Sequence, residues 1–171
     1  MTTLQTLLTA NTGNWTLAPE RSTVRFRTKT MWGLMPVNGT FSEVSGSGKI
    51  ADDVTGLLVV RAASLRTGIG KRDEHLRSAD FFDVETHPEI TVEVTGAQPS
   101  GDGALLESTM TVRGTSRPVR VPVEIEILDD KSLRVAGRCT MDRRDFGVSG
   151  NMLGMVGMST DVTAALVFTR G

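Results

Sequence analysis

The chain has 171 residues, and its 19 Lys and Arg are balanced by 20 Asp and Glu. This length suits one domain with its own core, and the charge balance excludes a global electrostatic footprint for nucleic acid or an anionic membrane. A single cysteine, Cys139, excludes an internal disulfide and a Cys-rich metal site.

The opening stretch, "MTTLQTLLTANTGNW", has neither a basic segment nor a continuous apolar run, and reads as a poor secretory signal. No stretch approaches the roughly 20 apolar residues of a membrane helix. The expectation is a soluble, cytoplasmic protein.

Period-two alternation then dominates the chain. "STVRFRTKT" places Val24 and Phe26 on one face, with Arg25 and Arg27 on the other. "VNGTFSEV" groups Val37, Gly39 and Phe41. "VTGLLVVRAASL" is apolar on both faces and reads as a strand covered on both sides. "EITVEVTG" aligns Ile90, Val92 and Val94, and "LLESTMTVRG" aligns Leu106, Ser108, Met110 and Val112. "PVRVPVEIEI" sets Val119, Val121, Val123, Ile125 and Ile127 against Arg120, Pro122, Glu124 and Glu126. "LRVAGRCTM" follows, with Cys139 as a small strand residue. "STDVTAALVFTR" turns Val162, Ala164, Leu166 and Phe168 one way.

"SGSG", "SGDG", "LDDK" and "RGTSRP" supply turn chemistry between strands. Pro122 cannot donate to a ladder, so it should face an edge or a bulge. Arg113, Arg117 and Arg120 cluster around one turn and read as a solvated hairpin. About eight such strands form either a sandwich or a closed barrel. Aromatic residues are few: two Trp, six Phe and no Tyr. Small inward side chains leave room for a ligand in an eight-stranded barrel.

One dense charged stretch interrupts the strands. Residues 71–79 of "KRDEHLRSADFFDVETHPEI" fit a short helix, with Asp73 and Glu74 in its first turn. Asp73 and Arg77 stand four apart in the favourable order for a pair. Leu76 and Ala79 share a face. Pro88 ends any helical continuation. His75 and His87 fit no zinc spacing. No "GxSxG" elbow is present, and "GSGKIADD" lacks the phosphate-loop pattern.

"SLRTGIGKRDEHLRSADFFDVETHPEI" resembles the signature of the YceI-like family. "WTLAPERSTVRF", "VNGTFSEVSGSGKI", "MTVRGTSRPVRVPVEI" and "RRDFGVSG" resemble further family segments in the same order, over roughly residues 14–169. The resemblance implies an all-β fold: an about eight-stranded antiparallel extended lipocalin-like barrel with a short helix near residues 71–79. It divides the chain into an N-terminal extension, 1–13, and a single barrel domain, 14–171. It also implies an apolar tunnel for a polyisoprenoid, an isoprenoid quinone or a similar long-chain lipid. Many relatives carry a secretory signal and this sequence shows none, so periplasmic transport is not carried over.

The expected function is non-enzymatic binding, carriage or storage of a long-chain isoprenoid or fatty-acyl-type lipid. The alternatives are a cofactor-free enzyme acting on a lipid-like substrate, and a stress-response module without a ligand. The expected ligand-binding residues are Phe26, Trp32, Phe41, Phe81, Phe82, Met110, Phe146, Met152, Met155 and Phe168. Arg72 and Arg77 are headgroup candidates. The reading names no catalytic residue, no metal ligand, no cofactor, no nucleic acid and no membrane span, and it is compatible with a homodimer. The paired phenylalanines and the late loop around Phe146 and Met152, with glycines at 147, 150 and 154, are expected to form an entrance.

Overall fold

The computed structural model describes residues 3–29, 36–148 and 159–170. The expected strands form, all antiparallel to their neighbours. They are β1 (Gly13–Leu17), β2 (Thr23–Lys29), β3 (Pro36–Phe41), β4 (Val44–Ile50), β5 (Val54–Arg61), β6 (Leu65–Arg66), β7 (Glu89–Ser100), β8 (Gly103–Val112), β9 (Thr115–Asp129), β10 (Ser132–Asp142) and β11 (Ser159–Arg170). Two short helices accompany them, α1 (Leu4–Ala10) and α2 (Gly70–Arg77).

The order β1-β4-β5-β7-β8-β9-β10-β11 closes when β11 returns to β1, giving an eight-stranded barrel. β2 also pairs with β11 and carries β3 and β6 with it. Closure removes the exposed edges of an open sheet. The hairpins are tight. Val112 pairs with Thr115 around Arg113 and Gly114, both at positive φ, the geometry that matches strand twist in a two-residue turn.

The alternation seen in the sequence sets the faces. Val24, Phe26, Met110 and Leu166 are buried inside, while Arg25, Arg27, Glu124 and Glu126 are exposed. Four expectations are corrected. The "SGSG" segment, expected as a turn, lies inside β4, where Ser45–Gly48 pair with Gly56–Val59 of β5. Leu57 is 44% exposed, so β5 is not covered on both sides. Ile127 is 43% exposed although its neighbours on the same face point inward; it lies at the strand's far end, beside the irregular register at Ser132 and Leu133. Ala79 is exposed while Leu76 is buried, because α2 ends at Arg77 and Ala79 no longer shares its helical face.

The N-terminal segment is folded onto the barrel. Thr3 caps α1 by accepting a hydrogen bond from the Thr6 amide. Leu8 is buried beside Trp15, Ile50 and Leu133 at one end of the barrel. The Trp15 indole donates to the Asn11 carbonyl at 3.0 Å, and the Arg170 guanidinium stacks over its ring. The opposite end holds a second cluster of Phe26, Leu65, Leu76, Phe81, Met110 and Phe146.

Candidate functional site

An internal cavity of about 310 Å³ runs through the barrel, reaching Leu8 and Trp15 near α1 and Phe81 and Phe146 near α2. Its walls are the inward faces already described, chiefly Val, Leu, Ile and Phe. Where β4 meets β5, Gly48 faces Gly56 across the ladder, and both line the cavity. With no side chain at either position, the bore is widened there.

Two polar side chains on the lining are engaged by the barrel itself. The Ser108 hydroxyl donates to the Val119 carbonyl at 2.7 Å, and the Thr28 hydroxyl to the Ser159 carbonyl at 3.0 Å. Cys139 also lines the cavity. Burial pushes its thiol pKa up, and the nearby Asp161 carboxylate adds to the shift. The thiol therefore stays protonated at neutral pH and is a poor nucleophile. Such an interior favours an apolar chain and offers little to a buried charge.

Seven of the expected ligand residues line this cavity: Phe26, Phe41, Phe81, Phe82, Met110, Phe146 and Phe168. The rings form a chain, Phe26 to Phe41 at 5.2 Å between centroids and Phe41 to Phe82 at 6.3 Å, edge to face. The adjacent phenylalanines divide their work. Phe81 is 1% exposed and packs under α2 against His75, whereas Phe82 is half-buried and reaches Phe41. Trp32, Met152 and Met155 lie outside the described residues.

The charged helix is tied to the barrel by a different network from the one its spacing suggests. Asp73 does not pair with Arg77. Its carboxylate accepts from the Thr67 amide at 2.9 Å and from the Thr67 hydroxyl. Arg77 instead donates to the carbonyls of Ala63 and Leu65, at 3.0 and 2.8 Å. The physical reason is competition. Loop carbonyls and amides beside the helix need partners, and at buried Asp73 these outweigh an i,i+4 ion pair, which contributes about 0.5 kcal/mol in an isolated helix. Arg72 lines the cavity and donates to the Thr67 hydroxyl and carbonyl, at 2.8 and 2.9 Å.

The basic cluster at the β8–β9 turn has a role that the sequence reading missed. Arg113 donates to the Phe81 carbonyl at 2.9 Å, and Arg117 to the Asp145 carbonyl at 3.0 Å. Both hold the closing segments over the α2 end. Arg120 pairs instead with a side chain, Glu107 of the neighbouring strand. Leu8 and Trp15 were also missed. Cys139 was placed on a strand but not in the cavity, although its parity with Leu133 and Val135 would have placed it inside.

The family model of the YceI-like domain matches residues 15–168. A UPF0312 protein of Pseudomonas aeruginosa is 29% identical over 136 residues, covering 73% of this chain and 70% of its own. Protein YceI of Escherichia coli is 29% identical over 93 residues, covering 51% of this chain and 48% of its own. Among solved structures, Burkholderia cenocepacia BcnA superposes with a TM-score of 0.80 at 21% identity, covering 88% of this chain and 98% of its own. A polyisoprenoid binding domain from Saccharophagus degradans superposes with a TM-score of 0.78 at 16% identity, covering 92% and 98%. At these identities the two structures support the fold, and the match over residues 15–168 supports the membership: this chain belongs to the YceI-like family.

Proposed function

We propose that this protein is a non-enzymatic carrier or reservoir for a long apolar lipid, held in the barrel interior. The ligand class is a long-chain isoprenoid, isoprenoid quinones included, or a fatty-acyl-type lipid. One observation carries the reading: an apolar cavity inside the barrel, along which the hydroxyls of Ser108 and Thr28 are already bonded to backbone carbonyls. The shared fold of the Saccharophagus polyisoprenoid binding domain supports it.

The driving force is burial. Each buried methylene contributes about 0.8 kcal/mol, so a chain of some twenty carbons outweighs an association cost of roughly 4–15 kcal/mol. An exposed ion pair at the surface adds only about 0–1 kcal/mol. The tail therefore sets affinity, and a headgroup contact, for which Arg72 is the better placed of the two arginines, sets orientation. Arg77 is committed to the Ala63 and Leu65 carbonyls.

Native mass spectrometry after gentle purification tests the proposal, followed by organic extraction of the bound species. The expected result is an intact lipid released unchanged. Conversion of polyprenyl or acyl substrates with turnover would overturn the carrier reading. So would a protein that carries no lipid and takes up none from vesicles.

A further inference from the structure

β9 and β10 run together for only part of their length. Their ladder pairs Asp129 with Ser132 and ends where Val123 faces Gly137. Both strands continue beyond that point. β9 extends back to Thr115, still paired with β8, and β10 runs on to Asp142, still paired with β11. The barrel wall thus parts between residues 115–122 and residues 138–142.

The sequence supplies the cause. The Val123 carbonyl turns toward β8, where it would lie 2.2 Å from a Cβ on Gly103. The Pro122 carbonyl turns the other way, 3.3 Å from a Cβ placed on Gly137. Backbone polar groups alternate sides along a strand, so the nitrogens of Pro122 and Pro118 both face β10. Neither carries a hydrogen, so a ladder continued past Val123 would lack two of its donors, and only the Arg120 amide between them remains on that side.

This parting opens on the cavity. Val121 on one flank and Cys139 and Met141 on the other all line the cavity, and all are half-buried. Arg117 bounds it, reaching across to the turn that follows β10 to hold the Asp145 carbonyl. The two barrel ends, by contrast, are stoppered. Leu8 and Trp15 are each 3% exposed at one, and Phe81 and Phe146 are 1% and 4% exposed at the other.

We propose that the apolar chain enters and leaves sideways, through the parting between β9 and β10, and that the phenylalanine-lined end is a stopper and not the entrance. This rests on the lipid-binding reading above and adds the route. Sliding residues 115–122 away from residues 138–142 breaks no β9–β10 ladder, whereas opening the α2 end disrupts a packed cluster.

The test is a lock across the parting. Arg120→Cys and Thr140→Cys, in a Cys139→Ser background, continue the Val123–Gly137 register on the exposed outer face, clear of the cavity. A short reducible bis-methanethiosulfonate joins them, and circular dichroism checks the fold. Stopped-flow fluorescence then follows uptake and release of a fluorescent polyprenyl alcohol. Cross-linking is expected to slow both rates by about tenfold or more, with recovery on reduction and with little change in equilibrium affinity, since a route alters rates and not end states. Pro122→Val, which restores a donor without any cross-link, is expected to slow both rates in the same direction. Unchanged rates in the locked protein, with binding intact, would overturn the side route alone. Absence of binding in every form, the unaltered protein included, would overturn the lipid reading and the route with it.

Discussion

Phe26 lies where a side chain on Gly39 would be, since a Cβ built at Gly39 falls 2.2 Å from the ring. Gly39→Ala should therefore cost about 1–3 kcal/mol by overpacking. Combining it with Phe26→Leu should recover part of that loss, and simple additivity in urea titrations would reject the coupling. Arg77 donates two charge-assisted bonds to chain carbonyls, whereas Arg27 stands on the exposed face. Arg77→Ala is expected to lower stability by about 1–3 kcal/mol and Arg27→Ala by no more than about 0.5 kcal/mol, and equal melting temperatures would contradict this. Cys139 gives a pH-dependent readout. Its thiol pKa is raised above its ordinary value of 9.0, so alkylation by iodoacetamide should lag behind that of a free cysteine through neutral pH and accelerate only in alkali. A rate equal to that of free cysteine at pH 8 would show that the thiol is neither buried nor perturbed.

The strands were the most legible elements, because half-buried strands write their faces into the sequence every second residue. Val24 with Phe26, Leu106 through Val112 and Val162 through Phe168 all fall inward as alternation requires. The pairing of α2 was not legible. Spacing points Arg77 at Asp73, but the carbonyls of Ala63 and Leu65 that it meets are backbone groups, and acceptors of that kind leave no letter in the sequence. α1 was missed because seven residues are too few for a helical period to stand out. Its single buried leucine nonetheless has a measurable role. Leu8→Ala should destabilise the fold by about 2–5 kcal/mol if Leu8 plugs the barrel end as its 3% exposure indicates. A change within experimental error in urea titrations would mean that α1 rests loosely on the surface. The parting of β9 from β10 was half legible. Pro122 marked a strand that could not be fully paired, but not which neighbour would be lost.

At the scale of the whole molecule, a ligand that fills the barrel binds only the folded state. Saturation at a hundredfold excess over Kd should add about 2.7 kcal/mol, which for a chain of this size raises Tm by roughly 5–10 °C. Scanning calorimetry with and without a polyprenyl alcohol checks this, and an unchanged Tm at saturation would mean that the lipid sits outside the barrel. β11 carries a different consequence. It pairs with its near neighbour β10 and also with β1 and β2, and the Val167 amide donates to the Ser22 hydroxyl 145 residues earlier. The other hairpins are local and can form early, but this seam must bring distant parts of the chain together, which is entropically slow. Until residues 159–170 meet residues 13–29, the molecule is an open, twisted sheet with its apolar face toward water. Such a sheet invites association with other copies, so refolding yield should fall steeply with protein concentration, and a holding chaperone would meet the protein as a sheet that has not yet become a container.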